Sequence, residues 1–139
     1  MAYWLVKSEP DVYSWDNLVR DGSTVWSGVR NYQARNNLVA MKEGERVLFY
    51  HSQSTKDVVG VATVLRTAYP DPTIPDDPRW QAVDLRPVFK LKTPVTLEQF
   101  KSDDILKESI LAKHSRLSVM PISDAVYARV MKLAGSTPE

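Results

Sequence analysis

The sequence predicts a mixed α/β (α+β) domain, a curled sheet or small barrel of about five to six strands with helices at its edges. Three observations carry that prediction. Runs rich in aromatic and β-branched residues recur at 3–6, 24–26, 45–52 and 58–68, as strands require. Ser14, Asn31 and Ser123 each precede apolar residues at helical spacing, which marks a capped helix start. A chain of 139 residues with no internal repeat or low-complexity tract is the size of one compact core.

Taken in order, residues 3–6 form the first strand, and Ser8-Glu9-Pro10 turns the chain away from it. Ser14 caps a helix over 15–20 by accepting from its free amides, and Gly22 ends it. A second strand covers 24–26. After Ser27-Gly28-Val29-Arg30, Asn31 caps a helix that runs from 32 to 41 or 42, with Gly44 as its stop. Ala34, Leu38 and Met41 make its apolar stripe, which leaves Gln33, Arg35, Asn36 and Asn37 on other faces.

Strands over 45–52 and 58–68 are joined by the polar loop Gln53-Ser54-Thr55-Lys56-Asp57 and pair antiparallel. Pro70, Pro72, Pro75 and Pro78 make 70–79 a rigid surface loop, because proline fixes φ and removes amide donors. Another strand lies within 80–92, where Pro87 demands an edge, a bulge or a strand end. Short helical patterns follow at 96–100 and 104–111, and 116–119 reads as the last strand. Ser123 then caps a helix carrying Val126, Val130, Met131 and Leu133 mostly on one face, closed by Gly135. The domain therefore covers 1–135, with 136–139 as a short tail.

The same residues exclude several chemistries. Without cysteine there are no disulfides, thiolate metal sites or Cys–His nucleophiles. His51 and His114 are the two histidines. No Gly-x-Ser-x-Gly elbow, His-Glu-x-x-His helix, Gly-rich phosphate loop or dinucleotide fingerprint accompanies them. His51 and Ser52 are neighbours in a strand, so their side chains point to opposite faces. No cofactor and no metal are expected, and an enzyme is possible but unsupported by these motifs. The enzyme alternative is a hydrolase or nuclease with His51 or His114 as general base, for which no second catalytic group can be placed.

The first residues are too short an apolar stretch for a signal peptide. The longest near-apolar run, 58–65, is broken by Gly60 and Thr63 and falls short of the roughly 20 residues that span a bilayer. A cytoplasmic protein without membrane contact is the expectation. Net charge is +1 and the pI is near 7.9, so any nucleic-acid surface must be local. Two stretches without acids fit that role: 22–42 with Arg30, Arg35 and Lys42, and 109–123 with Lys113, His114 and Arg116. Acids gather elsewhere, at Asp71, Asp76 and Asp77. Short imbalances of this kind also arise on any solvated surface.

The block Trp26-Ser27-Gly28-Val29-Arg30-Asn31-Tyr32-Gln33-Ala34-Arg35-Asn36-Asn37 combines flat rings, guanidinium forks and amides. Such groups stack on bases and grip phosphate, as a base taken out of its stack requires. The residues fit a second role equally well, with Trp26 and Tyr32 in the core and both arginines in solvent.

That block, together with Tyr3-Trp4-Leu5-Val6-Lys7-Ser8-Glu9-Pro10, Phe49-Tyr50-His51-Ser52 and Arg116-Leu117-Ser118-Val119 before Pro121, resembles the EVE-domain family in residues, order and spacing over nearly the whole chain. The resemblance implies a PUA-like β-pseudobarrel with flanking helices and non-catalytic recognition of a modified base. It places Ser8, Trp26, Arg30, Asn31, Tyr32, Arg35, Asn36, His51, Ser52, Arg116 and Ser118 around the pocket. In the roles inferred from chemistry, Trp26 or Tyr32 stacks on the base, and Arg30, Arg35 and Arg116 meet phosphate. Ser8, Ser52 or Ser118 bonds the base edge, and Asp84 accepts from an exocyclic amine. Each serine also suits turn capping, and Asp84 a salt bridge. The implied partner is DNA or RNA with a modified base, or a nucleotide fragment, with a separate effector protein as a further partner.

Overall fold

The computed structural model describes residues 1–113 and 116–136. His114, one of the two candidate general bases, lies outside the described residues. The strands are β1 (Tyr3–Ser8), β2 (Thr24–Trp26), β3 (Arg46–His51), β4 (Asp57–Pro70), β5 (Gln81–Thr96) and β6 (Val119–Ile122). The helices are α1 (Trp15–Asp21), α2 (Tyr32–Ala40), α3 (Leu97–Ser102) and α4 (Asp124–Ala134), with single 3₁₀ turns at Leu106–Glu108 and Leu111–Lys113. This is the expected α+β architecture.

All six strands join one sheet in the order β2-β5-β4-β3-β1-β6. The β1–β3 pair is parallel, and the pairs on either side of it are antiparallel. The sheet curls. In a flat sheet three spacings would hold β2 and β3 about 14 Å apart, yet Trp26 of β2 meets Phe49 of β3 edge to face with ring centroids 5.6 Å apart. The pairing of β4 with β5 breaks register at four places, and β3 breaks once at Phe49/Tyr50. Bulges of this kind bend long strands and raise their twist.

Both faces of the sheet contribute to the core. Leu5, Phe49, Val61, Leu85, Phe100 and Met120 are wholly buried. Trp15 of α1 lies across Gly60, where a Cβ would fall 2.6 Å from the indole ring; the missing side chain is what lets helix and sheet close. The Trp15 ring also meets Phe49 at 5.6 Å. From the other side α4 buries Val126, Tyr127, Val130 and Met131, with Tyr127 stacked on Tyr3 of β1 at 4.0 Å.

The helix starts form as the sequence indicates. Asn17 N–H donates to Ser14 Oγ at 3.1 Å while Ser14 N–H donates to Asn17 Oδ1 at 2.8 Å, a reciprocal capping box. Ala34 N–H donates to Asn31 Oδ1 at 2.9 Å, and Val126 N–H to Ser123 Oγ at 3.2 Å. Gly22 and Gly135 end α1 and α4 in the left-handed region, at φ 76° and 68°.

Several elements differ from expectation. Strand β1 runs on past residue 6 to Ser8, and the helical pattern at 104–111 forms only the two 3₁₀ turns. Helix α2 stops at Ala40, because Met41 turns extended into the core and the Glu45 carboxylate takes the Lys42 amide at 2.8 Å. Strand β5 runs on past Lys92 to Thr96, with Pro87 opposite Ala62 beside a register break, where a missing donor is tolerated. The last strand is Val119–Ile122 rather than 116–119. It holds the sheet margin, so Pro121 interrupts no ladder on its outer side, and Val119, Met120 and Ile122 are the buried residues. The stretch 70–79 is not all surface, since Asp71 is wholly buried.

Gly60→Ala is expected to lower stability by roughly 1–3 kcal/mol, the usual range for overpacking. The backbone at Gly60 carries no positive φ, so the loss comes from displacing Trp15. Urea denaturation should show a lower midpoint with an unchanged slope, together with a changed near-UV signal from tryptophan.

Candidate functional site

Between β2, at one margin of the curled sheet, and the end of β1 that runs on past its pairing with the other margin strand, β6, lies a cleft of about 460 Å³. That lies within the roughly 300–1,000 Å³ of small-ligand pockets. Lys7, Ser8 and Glu9 come from β1 and the turn after it, Val12 and Tyr13 from the connection to α1, and Ser118 from just before β6. Thr24, Val25, Trp26, Ser27, Gly28, Val29 and Arg30 form the facing wall. Lys7 N–H donates to Ser118 O at 3.0 Å, which ties the two segments of the first wall together.

Trp26 packs against the core and borders the cleft. It is half-buried, with its ring held edge-on by Phe49. Ser8 is buried and donates to the Tyr13 carbonyl. The Glu9 carbonyl accepts from Val12 and Tyr13 amides at 2.9 and 2.8 Å, so this turn is a fixed edge of the cleft. Half-burial lowers the pKa of the Lys7 ammonium.

The far wall is anchored by a buried charge. Asp71 Oδ2 accepts from Gly28 N–H at 2.8 Å and from Arg30 Nη1 at 3.0 Å. Its Oδ1 accepts from the Thr73 amide at 2.8 Å and the Thr73 hydroxyl at 2.6 Å. Burial alone would raise the Asp71 pKa, but the Thr73, Gly28 and Arg30 donors prevail and hold it at about 2. Arg30 also donates to Val29 O and Thr73 Oγ1. The sequence sets Asp71 apart from the acid-free stretch around Arg30; the fold brings the two together across 41 residues.

Ser8, Trp26, Arg30 and Ser118 are the sequence candidates that line the cleft. Asn31 caps α2. Tyr32 is exposed and stacks on Trp80 at 5.0 Å, while Arg35 donates to Asn36 Oδ1 and Arg79 O. Ser52 donates its amide to Ser8 O at 2.9 Å and is outside the cleft lining. Asp84 accepts from the Tyr69 hydroxyl; burial and that bond push the tyrosine up to about 12. Arg66 lies 3.8 Å over the Tyr69 ring, so Asp84 belongs to a polar cluster on β4 and β5, outside the cleft lining. Arg116 is exposed and precedes β6.

His51 Nε2 accepts the Trp15 amide at 3.1 Å, and burial lowers its pKa. Its lone pair thus holds the start of α1. Among the described residues no group of three or more His, Cys, Asp or Glu side chains is arranged to hold a metal ion.

The sequence reading misses Lys7, Glu9, Tyr13, Val25 and Gly28 as cleft residues. Ending the first strand at residue 6 hides Lys7, which lies within β1, and Glu9, which lies in the turn just after it.

Asp71→Ala is expected to lower stability by roughly 3 kcal/mol, about 10 °C in Tm. A carboxylate with a depressed folded pKa stabilises above its unfolded value and loses that contribution as pH falls through the folded one. The Tm gap between wild type and variant should therefore narrow between about pH 4 and pH 2, which thermal melts across that window will read.

Comparison with known proteins identifies the family. A family model for the EVE domain matches residues 2–133. Human thymocyte nuclear protein 1 is 32% identical over 170 residues, covering 99% of this chain and 76% of the relative. Its structure in complex with 5-methylcytosine containing DNA superposes with a TM-score of 0.90, covering 99% of this chain and 100% of that one. A crystal structure of an Agrobacterium tumefaciens protein is 40% identical, with a TM-score of 0.95 and full coverage of both chains. The YTH domain of a Zygosaccharomyces rouxii protein, solved with N6-methyladenosine RNA, shares the fold at 17% identity and a TM-score of 0.62, over 99% of this chain and 88% of that one. By its sequence and by its fold, the chain belongs to the EVE-domain family.

Proposed function

We propose that this protein reads a modified base, extruded from a DNA or RNA strand, by holding it in the cleft between β1 and β2 without chemistry. The observation that carries the reading is the cleft itself, a base-sized opening with an indole wall in a fold shared end to end with a relative solved on methylated DNA. Trp26 supplies the stacking face. Ser118 and Lys7 offer donors to the acceptors on a base edge, and Glu9 is an acceptor for an amino group. Arg30, held by Asp71, meets the phosphate beside the extruded base, and the exposed Arg116 extends that contact along the strand.

Preorganisation favours this arrangement. The cleft wall is fixed by Asp71 and Phe49 before any ligand arrives, so little ordering entropy opposes binding. A methyl group adds one small apolar contact, on the order of 1 kcal/mol, and a rigid wall converts that contact into preference. The hydrolytic alternative has less support, because the His51 lone pair already receives the Trp15 amide.

Trp26→Ala is expected to weaken binding of short oligonucleotides by roughly 1–3 kcal/mol, for modified and unmodified bases alike, as loss of base–aromatic stacking does. Affinity and melting temperature measured on one preparation separate stacking from core packing. A destabilised variant that binds normally would remove Trp26 from recognition.

A further inference from the structure

Outside the cleft an aromatic surface continues from its rim. The Tyr32 and Trp80 rings stack with centroids 5.0 Å apart and planes 29° from parallel. A guanidinium lies against each ring: Arg35 Cζ is 5.1 Å from the Tyr32 centroid, and Arg30 Cζ is 5.6 Å from that of Trp80. Arg30 also lines the cleft, so the row Arg35, Tyr32, Trp80, Arg30 leads away from it over the surface.

Hydrogen bonds hold the row in place. Asn36 Oδ1 takes Nε and Nη2 of Arg35 at 3.1 and 2.6 Å, and Arg35 Nη1 reaches the Arg79 carbonyl at 3.0 Å. Arg79 forks onto Asp77. Arg30 and Arg79 are thus paired with carboxylates, whereas Arg35 bonds only neutral acceptors among the described residues. Its charge is not cancelled locally. Tyr32 remains 51% exposed, so part of its ring is open to solvent beside Trp80.

We propose that the outer end of this row, Arg35 on Tyr32, is a second subsite that takes the nucleotide next to the extruded base. The Arg35 guanidinium meets its phosphate, and the Tyr32 ring gives its sugar or base an apolar face. The commitment to a nucleic-acid strand comes from charge and continuity: one unneutralised, preoriented cation beside an exposed ring, joined through Trp80 and Arg30 to the cleft. The proposal rests on the cleft reading for the identity of the strand. It adds that the protein grips more than one nucleotide and that the grip is indifferent to the modification.

The test uses seven-nucleotide single strands of DNA and of RNA with 5-methylcytosine or cytosine at the centre, bound to wild type, Tyr32→Ala and Arg35→Gln. Each variant should weaken both strands of a pair by about 5–30-fold and leave the modified-to-unmodified ratio unchanged. Arg35→Gln should also reduce the salt slope by about 1, and Arg35→Lys should restore it. Unchanged affinity in both variants would make the row an internal brace and overturn the proposal. A changed ratio would place these residues in the base pocket and overturn it equally. Failure of the cleft reading has a different signature, a wild type that shows no preference between strands and no response to Trp26→Ala.

Discussion

The Asp71 carboxylate, fully withdrawn from solvent, holds two distant parts of the chain in one place. It bonds the Gly28 amide and the Arg30 guanidinium after β2, and the Thr73 amide and hydroxyl after β4. A buried charge without such partners would cost several kcal/mol, so the four donors and the carboxylate are stable only as a set. The set fixes where the chain leaves β2. The end of the far wall, Gly28 to Arg30, follows from it, including the Arg30 guanidinium against Trp80.

The second constraint is the curl of the sheet. Trp15, Phe49 and Trp26 meet edge to face in sequence, each pair of centroids 5.6 Å apart, and Gly60 leaves the room for the first of them. These rings span strands that a flat sheet would separate. Because the sheet bends without pairing its two outermost strands, β2 and β6, among the described residues, an open seam remains beside β2. Open margins are an aggregation risk in many proteins. Here the seam is narrowed by the turn that Ser8 and Glu9 hold on one side and by the Asp71 anchor on the other, and β6 carries Pro121 where another strand would seek a donor.

Much of this is legible in the sequence because it is local. Cap residues Ser14, Asn31 and Ser123, glycines 22 and 135, and strand-forming runs act within a few positions, and each element they announce is present. The EVE resemblance, carried by whole blocks of residues, anticipates the family and the fold. What the sequence hides is long-range pairing. Nothing near Asp71 announces that it will neutralise Arg30, and nothing near Asp84 announces Tyr69. The last strand is misplaced because Pro121 breaks a strand pattern that only an outermost position permits. Tyr32 and Trp26, equal candidates by residue type, are separated by the fold: one lines the cleft and the other stacks outside it.

The central claim is that the seam between β1 and β2 receives the base. It is tested most directly by titrating isotopically labelled protein with a short 5-methylcytosine strand and following backbone amide and tryptophan indole resonances. The account predicts that the largest shifts fall on the Trp26 indole and on the amides of Ser8, Gly28 and Ser118, with α4 unmoved. Shifts centred on α4 or on the Tyr69–Asp84 cluster, with Trp26 silent, would contradict it.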